Sequence, residues 1–238
     1  MAEQRFTAFA QNRTAGVAEI DEGLRAFMLK VYNYMGLGLA LTGAVAFFTS
    51  SSPALMQAIF GSPLQWLVML SPFAFILVLS FGINRLRPAT AQLLFWAFAG
   101  VMGLSLSSIF IVYTGTSIAR VFFITASVFG AMSLYGYTTK KSLASWGSFL
   151  FMGLIGVVIA MVVNMFLASS ALHFIISVAG VLVFTGLTAY DTQQIKQEYY
   201  AGDGAVVVEK KAIMGALRLY LDFINLFIML MHLLGQNR

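Results

Sequence analysis

The sequence is poorest in cysteine, in charge and, over most of its length, in acid. None of its 238 residues is Cys, which excludes structural disulfides, thiolate metal sites and a cysteine nucleophile and says nothing of redox compartment. Charged residues make up 10%, whereas a soluble domain carries about 25% to face water. Hydrophobic residues reach 60%, with a mean hydropathy of +0.86. Such a chain cannot cover itself with polar surface. A soluble globule, a disordered protein and a nucleic-acid binder are therefore excluded despite the net charge of +5. The fitting solvent is a bilayer.

Polar residues and prolines punctuate the sequence into seven apolar stretches of the roughly 20 residues that a membrane span needs. They run over Leu29–Phe48, Leu64–Ile83, Ala91–Tyr113, Val121–Tyr137, Leu143–Leu167, Leu172–Tyr190 and Ala212–Leu234. The runs are continuous, unlike the alternating ten-residue segments of membrane barrels, so an all-α seven-helix bundle is expected. Residues 1–28 read as a polar cytoplasmic tail with no apolar core of signal-peptide type, and 29–238 as the transmembrane domain. Rows of small residues, Gly36, Ala40 and Ala44 or Ala99, Gly103 and Ser107, suit close helix packing in lipid.

Orientation follows from Lys and Arg. With a cytoplasmic N-terminus, the inner segments hold Arg5, Arg13, Arg25, Lys30, Arg85, Arg87, Lys140, Lys141, Lys196, Lys210, Lys211 and Arg218, against Arg120 and Arg238 outside. That asymmetry predicts a cytoplasmic N-terminus and a C-terminus outside.

From Gly23 to Tyr190 there is no Asp or Glu. Glu198, Asp203 and Glu209 fall in a polar stretch, Asp191–Lys211, and read as solvated loop residues. Asp191 closes the sixth span and Asp222 lies inside the seventh. A carboxylate within a span costs roughly 2.5–3.5 kcal/mol on insertion scales and by default marks an ion or proton path. The alternative for Asp222 is a structural salt bridge with Arg218, four residues earlier on the same helix face. Antiparallel spans six and seven bring Asp191 and Asp222 to one side of the membrane, where span two also ends with Arg85. Two carboxylates about 4 Å apart repel by about 4 kcal/mol at an effective dielectric near 20. Such a pair tends to hold one proton, and calcium, which favours carboxylate oxygens, could replace it. Tyr190 and Asn225 are candidate hydrogen-bond supports, and Arg85 a plug for the mouth.

Catalysis finds little footing. His173 and His232 are the only histidines and form no HExxH site, the serines of Gly103–Ser108 form no GxSxG, and every lysine lies at a span end or in a loop, so no retinal Schiff base is expected. The expectation is a non-enzyme without cofactor.

The segments LTAYDTQQIK (Leu187–Lys196) and ALRLYLDFINLF (Ala216–Phe227), with KVYNYMGLGLALTG opening span one (Lys30–Gly43), resemble the signature stretches of the Bax inhibitor-1 family, and the likeness covers nearly the whole chain after about Arg25. That resemblance implies a last helix at the centre, wrapped by the other six in two three-helix layers. It implies a pH-sensitive calcium leak in which Asp191 pairs with Asp222 as ion pathway and transient metal site. It also implies an arginine latch at the end of span two, either Arg85 or Arg87. Some members carry an acid in span two where Ala74 stands here, which withdraws a third carboxylate, and a neutral residue where Arg218 stands. Bacterial members that modulate a membrane-anchored ATP-dependent protease imply a second role, regulatory interaction, for which the N-terminal tail would serve.

Overall fold

The structure, a computed structural model, describes residues 2–237, with side chains from residue 22 onward. The expected partner role of the polar tail falls on residues whose side chains lie outside the described ones up to residue 21. Nine helices are present among the described residues: α1 (Ala2–Ser50), α2 (Pro53–Phe60), α3 (Leu64–Gly82), α4 (Pro88–Leu106), α5 (Ile109–Val112), α6 (Gly115–Thr138), α7 (Ala144–Leu167), α8 (Ser170–Glu198) and α9 (Ala205–Leu234). Seven stretches are long and apolar enough to cross a bilayer: Glu22–Ser50 of α1, α3, Pro88–Val112 across α4 and α5, α6, α7, α8 and α9. The all-α membrane bundle is as the sequence predicts.

Three elements depart from expectation. The short helix α2 fills part of the stretch between the first two predicted spans. Ser52 caps it by accepting from the Leu55 amide, and Pro53 takes the first helical position, where its missing N–H costs nothing. The sixth span does not stop at Tyr190 but continues to Glu198, and α9 starts at Ala205 rather than Ala212. Gln, Lys and Glu are good helix formers, and tertiary contacts hold the added turns. Gln193 accepts from the Leu143 amide at 2.7 Å and donates to the Lys141 carbonyl at 2.9 Å, while Ile195 is buried.

α9 is the axis. In its most hydrophobic window 72% of residues are buried, against 11–33% in the other six spans. It packs directly on α1, α4, α6 and α8. Around it lie two three-helix layers, α1/α4/α3 and α6/α8/α7, in which α3 is held mainly through α4 and α2 and α7 mainly through α8. Of the two small-residue rows, Ala99, Gly103 and Ser107 are buried, and a Cβ at Gly103 would lie 2.7 Å from the Thr42 carbonyl. Gly36, Ala40 and Ala44 are exposed instead; the buried stripe of α1 runs through Val31, Met35, Gly38 and Thr42.

Polar groups buried in the bundle are satisfied by short hydroxyl chains, as an apolar solvent demands. Pro72, inside α3, cannot donate to the Val68 carbonyl, and Ser71 and Ser105 donate to it at 3.0 and 2.7 Å. Thr42 donates to the Ala99 carbonyl at 2.8 Å and lies 2.7 Å from the Tyr220 hydroxyl. Its single proton is committed, so Tyr220 must donate to it. A second chain joins α1, α6 and α8. Thr192 donates to the Thr188 carbonyl at 2.7 Å, hence Ser133 donates to Thr192 at 3.0 Å and Tyr32 to Ser133 at 2.6 Å.

The direction of the Tyr220 chain predicts an asymmetry. Tyr220→Phe leaves Thr42 bonded to Ala99 and should cost about 1 kcal/mol, whereas Thr42→Val strands a buried donor and should cost about 1–3 kcal/mol. Thermal melts of the two variants in the same detergent measure the order, and equal or reversed losses would contradict this assignment of donors.

Candidate functional site: an acid pair in an interhelical cavity

Three helix stripes enclose a cavity of about 520 Å³. α9 contributes Arg218, Leu221, Asp222 and Asn225, at positions i, i+3, i+4 and i+7, which share one face. α8 contributes Phe184, Leu187, Tyr190 and Asp191, and α7 contributes Gly147, Ser148, Phe151 and Leu154. A Cβ at Gly147 would lie 2.6 Å from the Tyr190 ring, so glycine is what lets α7 close over that tyrosine.

Asp191 and Asp222 meet in this cavity. Both carboxyl groups line this one cavity, near enough for the charge of each to act on the other. Asp222 is 5% exposed, and its Oδ2 is buried without a hydrogen-bond partner among the described residues. Two like-charged groups at such range in a low-dielectric site cannot both be ionised at low cost, so the pair is suited to hold one positive guest. Asn225, expected as a support, donates instead to the Leu221 carbonyl of its own helix at 2.8 Å. Tyr190 lines the cavity beside the pair.

The cation in the cavity is Arg218. Its Nη1 donates to Glu198 Oε1 at 2.7 Å, so the alternative of a salt bridge to Asp222 gives way to a bond with the end of α8. Its charge still acts on both aspartates. Arg85 is not there. It is exposed on the turn after α3, as is Arg87, and neither lines the cavity. The reason is architectural, since α3 packs on α2 and α4 rather than on α8 or α9. The turn that carries Arg85 is instead touched by Lys210, which donates to the Asn84 carbonyl at 3.1 Å.

Glu198, Asp203 and Glu209, expected to be solvated, are each ion-paired. Lys211 bonds Asp203 at 2.5 Å and the Glu198 carbonyl at 2.7 Å. Glu209 bonds Lys30 at 2.7 Å and accepts from Tyr34. The polar stretch is thus mostly helix, with side chains tied to neighbouring elements. Along α8 and α9 the charges form a ladder: Asp203 with Lys211, Glu198 with Arg218, then Asp191 with Asp222. Sequence reasoning missed Glu198, yet the signal was there. Glu198 follows Asp191 by seven residues and Arg218 precedes Asp222 by four, so one face of each antiparallel helix carries both members.

Among the described side chains no group of three or more His, Asp or Glu residues gathers to hold a metal. Two carboxylates supply at most four oxygens, whereas calcium takes six to eight; a cation here would keep part of its water. The two histidines meet at the other end of the bundle, with ring centroids 4.5 Å apart.

Residues 24–238 match the family model described as inhibitor of apoptosis-promoting Bax1. An uncharacterized protein of Rickettsia prowazekii (RP147) is 51% identical over 232 residues, covering 98% of this chain and 96% of the relative. The inner membrane protein YbhL of Escherichia coli K12 is 44% identical over 229 residues, covering 95% and 98%.

The ladder makes a measurable prediction. Glu198→Gln and Arg218→Gln should show a coupling of about 0.5–1 kcal/mol in a double-mutant cycle of thermal stability, since the pair is partly exposed. The coupling should shrink as salt is raised; a coupling near zero at low salt would remove this rung.

Proposed function

The chain belongs to the Bax inhibitor-1 family, and on that footing we propose that it is a pH-sensitive cation leak, with calcium as the permeant ion. The observation that carries this reading is the contact between Asp191 and Asp222 inside a cavity of the bundle, with one carboxylate oxygen left without a hydrogen-bond partner. The Escherichia coli relative is called an inner membrane protein, which supports the same membrane for this chain, and the Lys/Arg asymmetry supports an N-terminus inside.

In this mechanism the pair holds a proton at acid pH and a cation in its place as pH rises. With one proton between them, the carboxyl groups tolerate each other. Losing it leaves two charges whose repulsion is about 4 kcal/mol at 4 Å and an effective dielectric near 20, which a divalent ion relieves. Arg218, held aside by Glu198, is the barrier at the mouth: released from Glu198 it would neutralise the pair and repel the ion. This role replaces the one expected of Arg85. On the far side of the pair α8 and α9 are tightly joined, with Met229 so close to Gly180 that a Cβ there would lie 2.7 Å from it. On this reading, passage requires α8 and α9 to part above Asn225.

If one proton leaves for each cation bound, apparent calcium affinity should rise by up to about tenfold per pH unit between pH 5 and 8. Asp222→Asn should abolish both the pH dependence and calcium flux in dye-loaded liposomes. Flux indifferent to pH and to Asp222→Asn would end the channel reading.

The second reading is a regulator of a membrane-anchored ATP-dependent protease acting through the N-terminal tail. Its support is the resemblance alone. Deleting Met1–Glu22 separates the two: lost protease regulation with intact flux favours this role for the tail, and unchanged regulation removes it.

A further inference from the structure

A second cavity, of about 590 Å³, opens between α1 and α6 on the side away from the acid pair. The two helices flank α9 and pack on it; they are bridged by the Tyr32–Ser133 hydrogen bond. Towards the end of the bundle that holds the α8–α9 loop, the space between them is open. Arg25, Leu29 and Tyr32 of α1 line one wall, and Gly130, Ser133 and Tyr137 of α6 the other. These are positions i, i+4 and i+7 on α1 and i, i+3 and i+7 on α6, one face of each helix. At 1.5 Å per residue the groove is about 10 Å deep from Arg25 to Tyr32.

Its chemistry is graded. The floor is hydroxyl, the walls are apolar, and the mouth is basic. Arg25 is exposed there. Across the mouth, Lys196 donates to the Tyr137 carbonyl at 2.8 Å and sits 5.0 Å over the Tyr137 ring. Among the described residues no acid lines the groove; Glu22 stands one turn before Arg25 on α1. The groove's level is fixed by Phe27, whose ring packs 5.6 Å from that of Tyr199 just past the end of α8, so Arg25 stands level with the cytoplasmic end of that span. A Cβ at Gly130 would meet nothing within 4 Å. The missing side chain keeps the wall open.

We propose that this groove is a binding site for one phospholipid with an anionic headgroup, its phosphate held by Arg25 with Lys196 nearby and an acyl chain lying along Leu29 and Gly130. A slot between spans at this depth faces hydrocarbon, so its occupant must be apolar over that length. Basic pockets between spans at the membrane surface recognise anionic headgroups. The two requirements together describe an acidic phospholipid.

The test is native mass spectrometry of the full-length protein in detergent, titrated with phosphatidylglycerol or phosphatidylethanolamine bearing identical chains. Wild type should retain phosphatidylglycerol about fivefold better, the effect of one basic residue at the surface. Arg25→Gln should bring that ratio close to one and Arg25→Lys should keep most of it. Gly130→Leu, which fills the groove, should lower retention of both lipids. A wild-type ratio near one, or a preference untouched by Arg25→Gln, would overturn the proposal. Because neither aspartate takes part, these outcomes are independent of the channel reading.

Discussion

A carboxylate buried in a bilayer must find its compensation within the protein, and the arrangement around α9 follows from that demand. Asp222 lies on the most buried helix of the bundle, where water is scarce and a lone charge is costly. It is met by a second acid, Asp191, rather than by a base. A base would have cancelled the charge permanently and made the site inert. An acid leaves the pair one positive charge short, and that shortfall is what gives a membrane bundle something to exchange. The nearest base is held off by Glu198, so the charge balance of the cavity is set by three acids sharing one arginine.

The bundle serves this site by keeping α9 straight and fixed. Glu209 ties its first turns to α1, Lys210 to the α3–α4 turn, and Lys211 to the end of α8. At its other end, Gln236 donates to Ser117 and accepts from the Thr114 amide. Between these anchors α9 packs mostly through large side chains, with Leu217, Leu219, Tyr220, Leu226 and Met231 fully buried, whereas its neighbours meet each other through small residues. At Gly136 a Cβ would lie 2.2 Å from the Ala189 carbonyl, so the backbones of α6 and α8 nearly touch two residues from Asp191. The register of the acid on α8 is therefore set by a contact that tolerates no side chain.

Much of this was legible in the sequence because hydrophobic length is a strong signal in membrane proteins. The seven spans, the pairing of Asp191 with Asp222, and the presence of Arg218 and Tyr190 beside them all follow from apolar runs, antiparallel neighbours and helical spacing. What escaped was whatever depended on non-adjacent packing. Arg85 shares a depth with the pair but not a neighbour, because α3 lies one layer out; span counting gives height and not azimuth. Glu198, Asp203 and Glu209 looked like loop because charge interrupts an apolar run, although each charge is neutralised by a partner tens of residues away or across a turn. The exposed Gly36–Ala44 row shows the same limit: a small-residue stripe marks a possible contact, and only the neighbour decides whether it is used.

The hydroxyl chain from Tyr32 through Ser133 to Thr192 ends on a carbonyl oxygen. Each hydroxyl passes its only hydrogen forward, and the last acceptor has none to give up. Such a line works as a rivet between three helices and fails as a proton relay, because conduction would need every O–H to turn round against a terminus that cannot donate. The wire that would most conveniently feed the aspartates from the α1 side is thus blocked by its own polarity. On the proposed leak mechanism, protons bound for Asp191 and Asp222 would gain nothing from this hydroxyl chain and would share the cavity opening with the metal ion.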